Sequence, residues 1–354
     1  MTGADAFLAA HGFAAAARDP LPGDAGHRRY TRLRGGPVPA LLMDCSAEPE
    51  VDLHPFLFIA PHLAAGGLSV PAVLARDMAA GLLLVEDLGE QTHAGLLDTG
   101  ADPVPLYAAA GQALAALHAV PPPPGLPHWN GAAMARAAAG TFLDWWWPAA
   151  LGTTPDARVR AAFEAAVRDT VAPLEASPGL VHRDFFPANL TPLPDRPGAR
   201  GVGILDFQDA ALGHPAYDLV SLVEDARRDV SPAARAAALA AYRAAGGAAA
   251  SGRQPARTSD GHAAGVSAEQ PAADPGLDAA MAALGAVRHL RVAALWVRLH
   301  RRDGKPRYLA HGPRCWALLE RALQHPAAAP LAAFLDQHIP AAVRGNPPAE
   351  GLAA

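Results

Sequence analysis

The sequence predicts an α+β chain of two lobes, a small strand-rich one followed by a larger, mostly helical one. Three observations predict it. Short apolar runs of strand character fall between residues 28 and 86, helical periodicity dominates from residue 107 onward, and Leu88-Gly89 breaks the pattern between them. The implied division is an N-lobe at 1–86, a hinge at 87–90, a C-lobe at 91–340 and a tail at 341–354.

Taken in order, residues 4–16 carry helical spacing. Residues 28–34 (RRYTRLR) and 39–44 (PALLMD) read as strands joined by a Gly-Gly-Pro turn. Residues 53–65 read as an amphipathic helix, and 70–76 and 82–86 as two more strands, the second an apolar run. Residues 106–120 form a helix that four prolines end. A helix over 156–176 follows, then short strands and loops between 180 and 207. Helical segments return at 217–227, 232–245, 277–299, 314–324 and 330–338. Residues 246–275 are rich in Gly, Ser, Pro and Ala with almost no large apolar side chain. That composition predicts a flexible insertion between two helices, one whose removal the fold tolerates.

Composition excludes several classes. The chain has 354 residues, of which 51% are hydrophobic, enough for one large core or two modest ones. Its formal charge of -5 gives no basic footprint for nucleic acid. Two cysteines, Cys45 and Cys315, stand in no metal or disulfide spacing, which fits a reducing compartment. The N-terminus lacks the basic region of a signal peptide, and no uninterrupted apolar run is long enough to span a membrane. A cytoplasmic protein is expected; its oligomeric state is not legible.

The chemistry is concentrated in residues 180–190, LVHRDFFPANL, which contain H-R-D-x-x-x-x-N, the catalytic-loop pattern of protein kinases. An apolar strand ending in an aspartate, GILDF (203–207), follows. An aspartate at a loop tip (Asp184) can orient an acceptor hydroxyl and take its proton. An asparagine five residues on (Asn189) can offer its side-chain oxygen to Mg2+. An aspartate after the next strand (Asp206) can hold that metal against the phosphates of ATP. Phosphoryl transfer needs chiefly positioning and charge neutralisation, so these few groups suffice. With the strand-rich lobe before them they predict a two-lobe protein-kinase-like fold.

Residues 27–340 resemble the aminoglycoside phosphotransferase superfamily, and more closely its bacterial anomeric N-acetylmuramate/N-acetylglucosamine kinase branch. The resemblance rests on RRYTRL (28–33), LLMD (41–44), LLVEDLG (83–89), FLDWWWPAALG (142–152), HRDFFPANL (182–190), GILDFQDAALGHPAYDLVSLVEDARRDV (203–230) and RDGKPRYLAHGPRCWALLERAL (302–323). It implies that Asp184 is the catalytic base and that Asn189 and Asp206 are metal ligands. Glu86 to Leu88 would bind adenine through backbone groups, and Asp218 would brace the catalytic loop from within. The implied reaction is ATP- and Mg2+-dependent phosphorylation of the anomeric hydroxyl of an N-acetylated amino sugar, in cell-wall sugar recycling.

The chain departs from the general kinase pattern in two ways. A kinase lysine is usual on the third strand, yet the only lysine here is Lys305, and GDAGHRRY replaces the glycine-rich loop. The anomeric-kinase branch resembles this chain in lacking that lysine. Arg29 and Arg32 are the candidates for holding phosphates; solvated strand arginines are the other reading. Asp144 and Trp145, in the triple-tryptophan segment, are candidates for sugar binding, although core filling is the commoner fate of tryptophan. The predicted helix 277–299 carries Arg288, His289 and Arg291 on an apolar background; a cation there, with Arg288 the candidate, could meet an acidic sugar substituent, and a salt-bridged or solvated arginine is the other reading. Arg183 and Asp209 complete the acceptor-binding candidates. Two rival functions fit the same motifs: a kinase for another small acceptor such as an aminoglycoside, choline or homoserine, and an inactive kinase-like scaffold.

Overall fold

A computed structural model describes residues 3–21, 28–47, 52–247 and 274–352; the predicted insertion lies almost wholly outside the described residues. The alternating runs of the N-lobe pair into one antiparallel sheet of β1 (Ala17–Pro20), β2 (Arg29–Arg34), β3 (Ala40–Asp44), β4 (Val73–Asp77) and β5 (Leu82–Glu86), in the order β1-β2-β3-β5-β4. Period-two alternation sorts their side chains. Leu33, Ala40, Leu42, Leu82 and Leu84 pack with Phe7 and Leu8 of α1 (Gly3–Ala10) and with Phe13. Tyr30, Leu41, Met43 and Val85 occupy the other face, with Tyr30 opposite Met43 and Leu41 opposite Val85. Helix α2 (His54–Ala65) covers part of that face through Phe56.

β1 escapes the sequence reading because its ARDP run is an edge strand with no buried residue and hence no alternation. The predicted helix over 4–16 is shorter for a related reason. The chain turns at Gly12, whose φ of 84° glycine adopts readily, and returns as β1.

The C-lobe adds α3 (His93–Asp98), α4 (Pro103–Ala119), α5 (Gly131–Thr141), α6 (Trp147–Leu151) and α7 (Ala157–Val171). A π-helical turn, Phe142–Trp146, joins α5 to α6. Two small antiparallel strand pairs follow, β6 (Gly179–Val181) with β9 (Ala211–Gly213) and, between them in sequence, β7 (Leu190–Pro192) with β8 (Val202–Ile204). Helices α8 (Ala216–Val223), α9 (Pro232–Ala244), α10 (Pro275–Asp303), α11 (Gly312–Leu323) and α12 (Ala329–His338) complete the lobe. Helix α10 is long and apolar enough to cross a membrane by composition, but 83% of its apolar window is buried inside the protein, so it reads as the lobe's core helix.

The lobes meet where the Ile204 N–H donates to the Ser69 carbonyl at 2.8 Å. Gly203 permits that approach, since a Cβ there would collide with Thr191 Oγ1 and Leu88 Cδ1. Both cysteines are free and buried.

Candidate active site

The two strand pairs aim two loops into the space under the N-lobe sheet. The first follows β6 as His182-Arg183-Asp184. Asp218, on α8 and fully buried, accepts from the His182 N–H at 2.6 Å and the Arg183 N–H at 2.7 Å, and its Oδ2 lies 3.2 Å from His118 Nε2. The brace implied by the resemblance is therefore present. Without it two buried N–H groups would lose their partners, at about 1–3 kcal/mol each. The brace holds Arg183 at φ 77°, in the left-handed region that non-glycine residues seldom enter. His182 ties the loop to the second one: its Nε2 donates to the Leu205 carbonyl at 2.9 Å, and its Nδ1 accepts from the Asp184 N–H at 3.3 Å.

Asn189 closes the catalytic turn by donating from Nδ2 to the Asp184 carbonyl at 2.9 Å, which leaves Oδ1 as its free acceptor. The second loop follows β8. Asp206 sits at its tip with φ 59° and accepts from Gln208 Nε2 through one carboxylate oxygen at 2.7 Å. Asp184, Asn189 and Asp206 all line one interlobe cleft of about 520 Å³. Its upper wall is Leu41, Met43, Pro71 and Val85, and Phe207 and Leu205 continue the apolar surface below. Among the described residues no cluster of three His, Cys, Asp or Glu could hold a metal by itself. Asn189 Oδ1 and the second Asp206 oxygen are the kind of hard donors that Mg2+ takes together with phosphate oxygens and water. The Leu88 N–H has no partner among the described residues, while Leu88 itself is not among the residues that line the cleft.

Asp184 is electrostatically prepared. Burial would raise its pKa, but the guanidiniums of Arg291 and Arg288, then Arg183 and His182, outweigh it and hold the carboxyl below the ordinary aspartate value. Its side chain makes no hydrogen bond to the described residues.

Several predicted site residues are placed elsewhere. Arg29 is exposed on the opposite face of β2 from Tyr30, so strand alternation turns it away from the cleft. Arg32 is buried and committed: Nε meets Asp87 Oδ2 at 2.5 Å and Nη2 donates to the Gly89 carbonyl at 3.0 Å, so it clamps the hinge segment. The Glu86 carboxylate is engaged with Arg196 at 2.8 Å and with the Ala72 N–H at 3.2 Å. Asp144 is exposed and paired with Arg160, and neither it nor Trp145 lines the cleft. Trp146 and Trp147 are core residues. Arg183 and Asp209 line a neighbouring groove of about 830 Å³, where Arg183 stacks 4.0 Å over Trp129 and donates to the Asp209 carbonyl at 3.1 Å. Gln208 borders both spaces. Arg288 does line the cleft.

The cleft also contains Arg291, which the sequence marks as a cation on the same helix as Arg288, and four groups that the sequence does not single out: Arg28, Tyr30, Arg227 and Trp296. Two periodicities could have found all of these but Arg227. Arg28, just before β2, and Tyr30 flank the outward Arg29. Arg288, Arg291, Val292, Leu295 and Trp296 form one helical stripe of α10. Behind the stripe Trp296 stacks on Tyr308 at 5.3 Å and an interplanar angle of 6°, so the RDGKPRYL block packs behind the cleft floor.

A two-lobe kinase-like fold with these loops defines a phosphotransferase. The profile of the phosphotransferase enzyme family matches residues 18–257, and the chain belongs to that family. It is 37% identical to the N-acetylmuramate/N-acetylglucosamine kinase of Caulobacter vibrioides, with 96% of each chain covered. It is 34% identical to the protein of that name from Pseudomonas aeruginosa, over 86% of this chain and 83% of that one. Among solved structures it is similar in fold to choline kinase LicA from Streptococcus pneumoniae, with a TM-score of 0.56 at 12% identity, covering 92% of this chain and 97% of that one. The microcompartment-associated aminopropanol kinase gives a TM-score of 0.55 at 17% identity, covering 91% and 98%.

Proposed function

We propose that the chain transfers the γ-phosphoryl group of ATP, with Mg2+, to the anomeric hydroxyl of N-acetylmuramate or N-acetylglucosamine, giving the sugar 1-phosphate. The observation that carries the reading is the convergence of Asp184, Asn189 and Asp206 on one interlobe cleft, in a chain 37% identical to a kinase named for those two sugars. Asp184 orients the acceptor hydroxyl and takes its proton. The anomeric hydroxyl is the most acidic of a sugar ring, so a carboxylate of low pKa serves as its base. Asn189 and Asp206 are the residues that would hold the metal, whose charge neutralises the phosphates when bound. Adenine enters between Val85 and Leu205 and meets backbone groups near Leu88. The ATP supply sets the reaction in the cytoplasm.

Acceptor specificity tests this reading. N-acetylmuramate or N-acetylglucosamine should be phosphorylated, and the methyl glycoside of N-acetylglucosamine should be inert. Phosphorus and proton NMR should show the phosphate coupled to the anomeric proton. Phosphate on the C6 methylene, or turnover of the methyl glycoside, refutes it.

The cation that replaces the kinase lysine is assigned to Arg28. The inward positions of β3 are Leu41 and Met43, which cannot bind phosphate. Arg28 lines the cleft, and its buried Nε has no partner among the described residues. Its field reaches the same hydroxyl as that of Asp206. Tyr30 is pushed up to about 12, chiefly by burial, with Arg28 opposing the rise and Asp206 adding to it. Arg28→Ala should raise the KM for ATP about tenfold, the order of one charge-assisted hydrogen bond. Arg29→Ala should leave it unchanged. The reverse ranking in steady-state kinetics would return the role to Arg29.

A further inference from the structure

The cleft-facing stripe of α10 begins with two arginines, Arg288 buried and Arg291 half-buried, and both are incompletely bonded. Arg288 is 3% exposed. Its Nη2 donates to Ser221 Oγ at 2.7 Å, while Nε and Nη1 have no partner among the described residues. Arg291, one turn on, reaches the Tyr217 hydroxyl through Nη2 at 3.4 Å, and its Nε is likewise without a partner. Neither guanidinium has a carboxylate in ion-pair contact among the described residues. Leaving buried guanidinium N–H groups unpaired is costly, and such sites are commonly completed by an anion.

The charges around the pair leave room for one. Arg288 and Arg291 both act on Asp184; Arg288 also acts on Asp225, and Asp209 on Arg291. Two of those carboxylates have other work. Asp184 faces the reacting hydroxyl, and Asp225 binds the Arg227 N–H at 2.8 Å. Arg227, a third guanidinium of the cleft, is stacked at 4.4 Å over Phe186 and at 5.4 Å over Trp296. Arg183 faces the neighbouring groove beside Asp209. His289, on the far side of α10, is bound to Glu224 at 2.8 Å and does not face the cleft.

We propose that Arg288 and Arg291 form the seat for a carboxylate carried by the acceptor, making the acidic amino sugar the preferred substrate. This rests on the amino-sugar reading above. N-acetylmuramate differs from N-acetylglucosamine by a lactyl ether, whose carboxylate offers two oxygens to the unpaired N–H groups. Val292 and Leu295, next along the stripe, supply apolar surface for its methyl group. A seat for ATP phosphate is the competing use of the two arginines. The cleft's polarity argues against it: Arg28 and Asp206 act together at Tyr30 on the nucleotide side, whereas Arg288 and Arg291 act on Asp184, where the acceptor hydroxyl lies.

The test compares kcat/KM for N-acetylmuramate, its lactyl methyl ester and N-acetylglucosamine, with the KM for ATP followed in parallel. The wild-type enzyme should favour the acid over the ester by about tenfold or more, and the ester should behave like N-acetylglucosamine. This arm needs no variant and does not depend on whether a substituted α10 folds. Arg288→Gln and Arg291→Gln should each lower kcat/KM for the acid at least about tenfold more than for N-acetylglucosamine, through KM. Equal use of acid and ester, or equal losses on both sugars with a raised KM for ATP, overturns the carboxylate seat and leaves the amino-sugar reading intact. Turnover of neither sugar removes both.

Discussion

Replacing Asp184 by asparagine is expected to lower kcat about a thousandfold, within the range that general-base catalysis by a positioned side chain contributes, while leaving Mg2+-ATP affinity within about twofold of the wild type. The structure makes this substitution a clean one. The loop is held by the Asp184 backbone, which donates to His182 Nδ1 and accepts from Asn189 Nδ2, whereas the carboxylate makes no hydrogen bond to the described residues. Asparagine keeps the shape and removes the base. Stopped-flow phosphate transfer and calorimetric titration of ADP separate the two effects. Retention of most of the turnover would falsify the assignment. The pH profile supplies a second check. A carboxyl held below its ordinary value by Arg291 and Arg288 against the opposing effect of burial stays ionised through the neutral range. No acidic limb of kcat/KM from Asp184 is expected between about pH 5 and pH 8. A limb centred near neutrality that disappears in Asp184→Asn would show that burial wins instead.

The motif residues and the fold were legible because each is local. H-R-D-x-x-x-x-N lies on one turn, the Asp206 strand follows it closely, and strand and helix periods are set by neighbours in sequence. The Asp218 brace was legible only through the resemblance, since nothing local says that an aspartate on α8 receives two amide groups of a distant loop. The misplaced residues failed for stated reasons. Arg29 and Arg28 differ by one position, which inverts the face of a strand. Arg32 has the correct facing but meets Asp87, whose place beside it depends on the pairing of β2 with β3 and of β3 with β5. Asp144 and Trp145 sit on a π-helical turn, where helical spacing no longer tells which side chain faces the lobe. Arg291 was legible as a cation on an apolar helix, but its place with Arg288 on the cleft stripe depends on which face of α10 the cleft meets. Helix α5 carries mostly alanine, whose weak apolar contrast hides its face.

Asp206→Ala is expected to abolish the Mg2+ dependence of nucleotide binding and to lower kcat/KM for ATP by about a hundredfold or more, the order of a lost metal-mediated charge contact. Alanine here changes two things at once, because Asp206 occupies the left-handed region at φ 59°. A β-carbon without a polar group tolerates that conformation poorly, at about 1–2 kcal/mol, whereas asparagine tolerates it much as aspartate does. Asp206→Asn therefore serves as the companion variant. It keeps the backbone and a side-chain oxygen for Gln208 but removes the negative charge. If metal binding is the role of Asp206, both variants lose the Mg2+ dependence, and only the alanine variant also lowers Tm by a few degrees. If Asp206 serves mainly to hold the turn, Asp206→Asn behaves like the wild type and Asp206→Ala loses stability without any change in Mg2+ dependence. Titrating ADP calorimetrically with and without Mg2+, beside thermal melts of both variants, distinguishes the outcomes; an unchanged response of Asp206→Asn to Mg2+ removes Asp206 from the metal site.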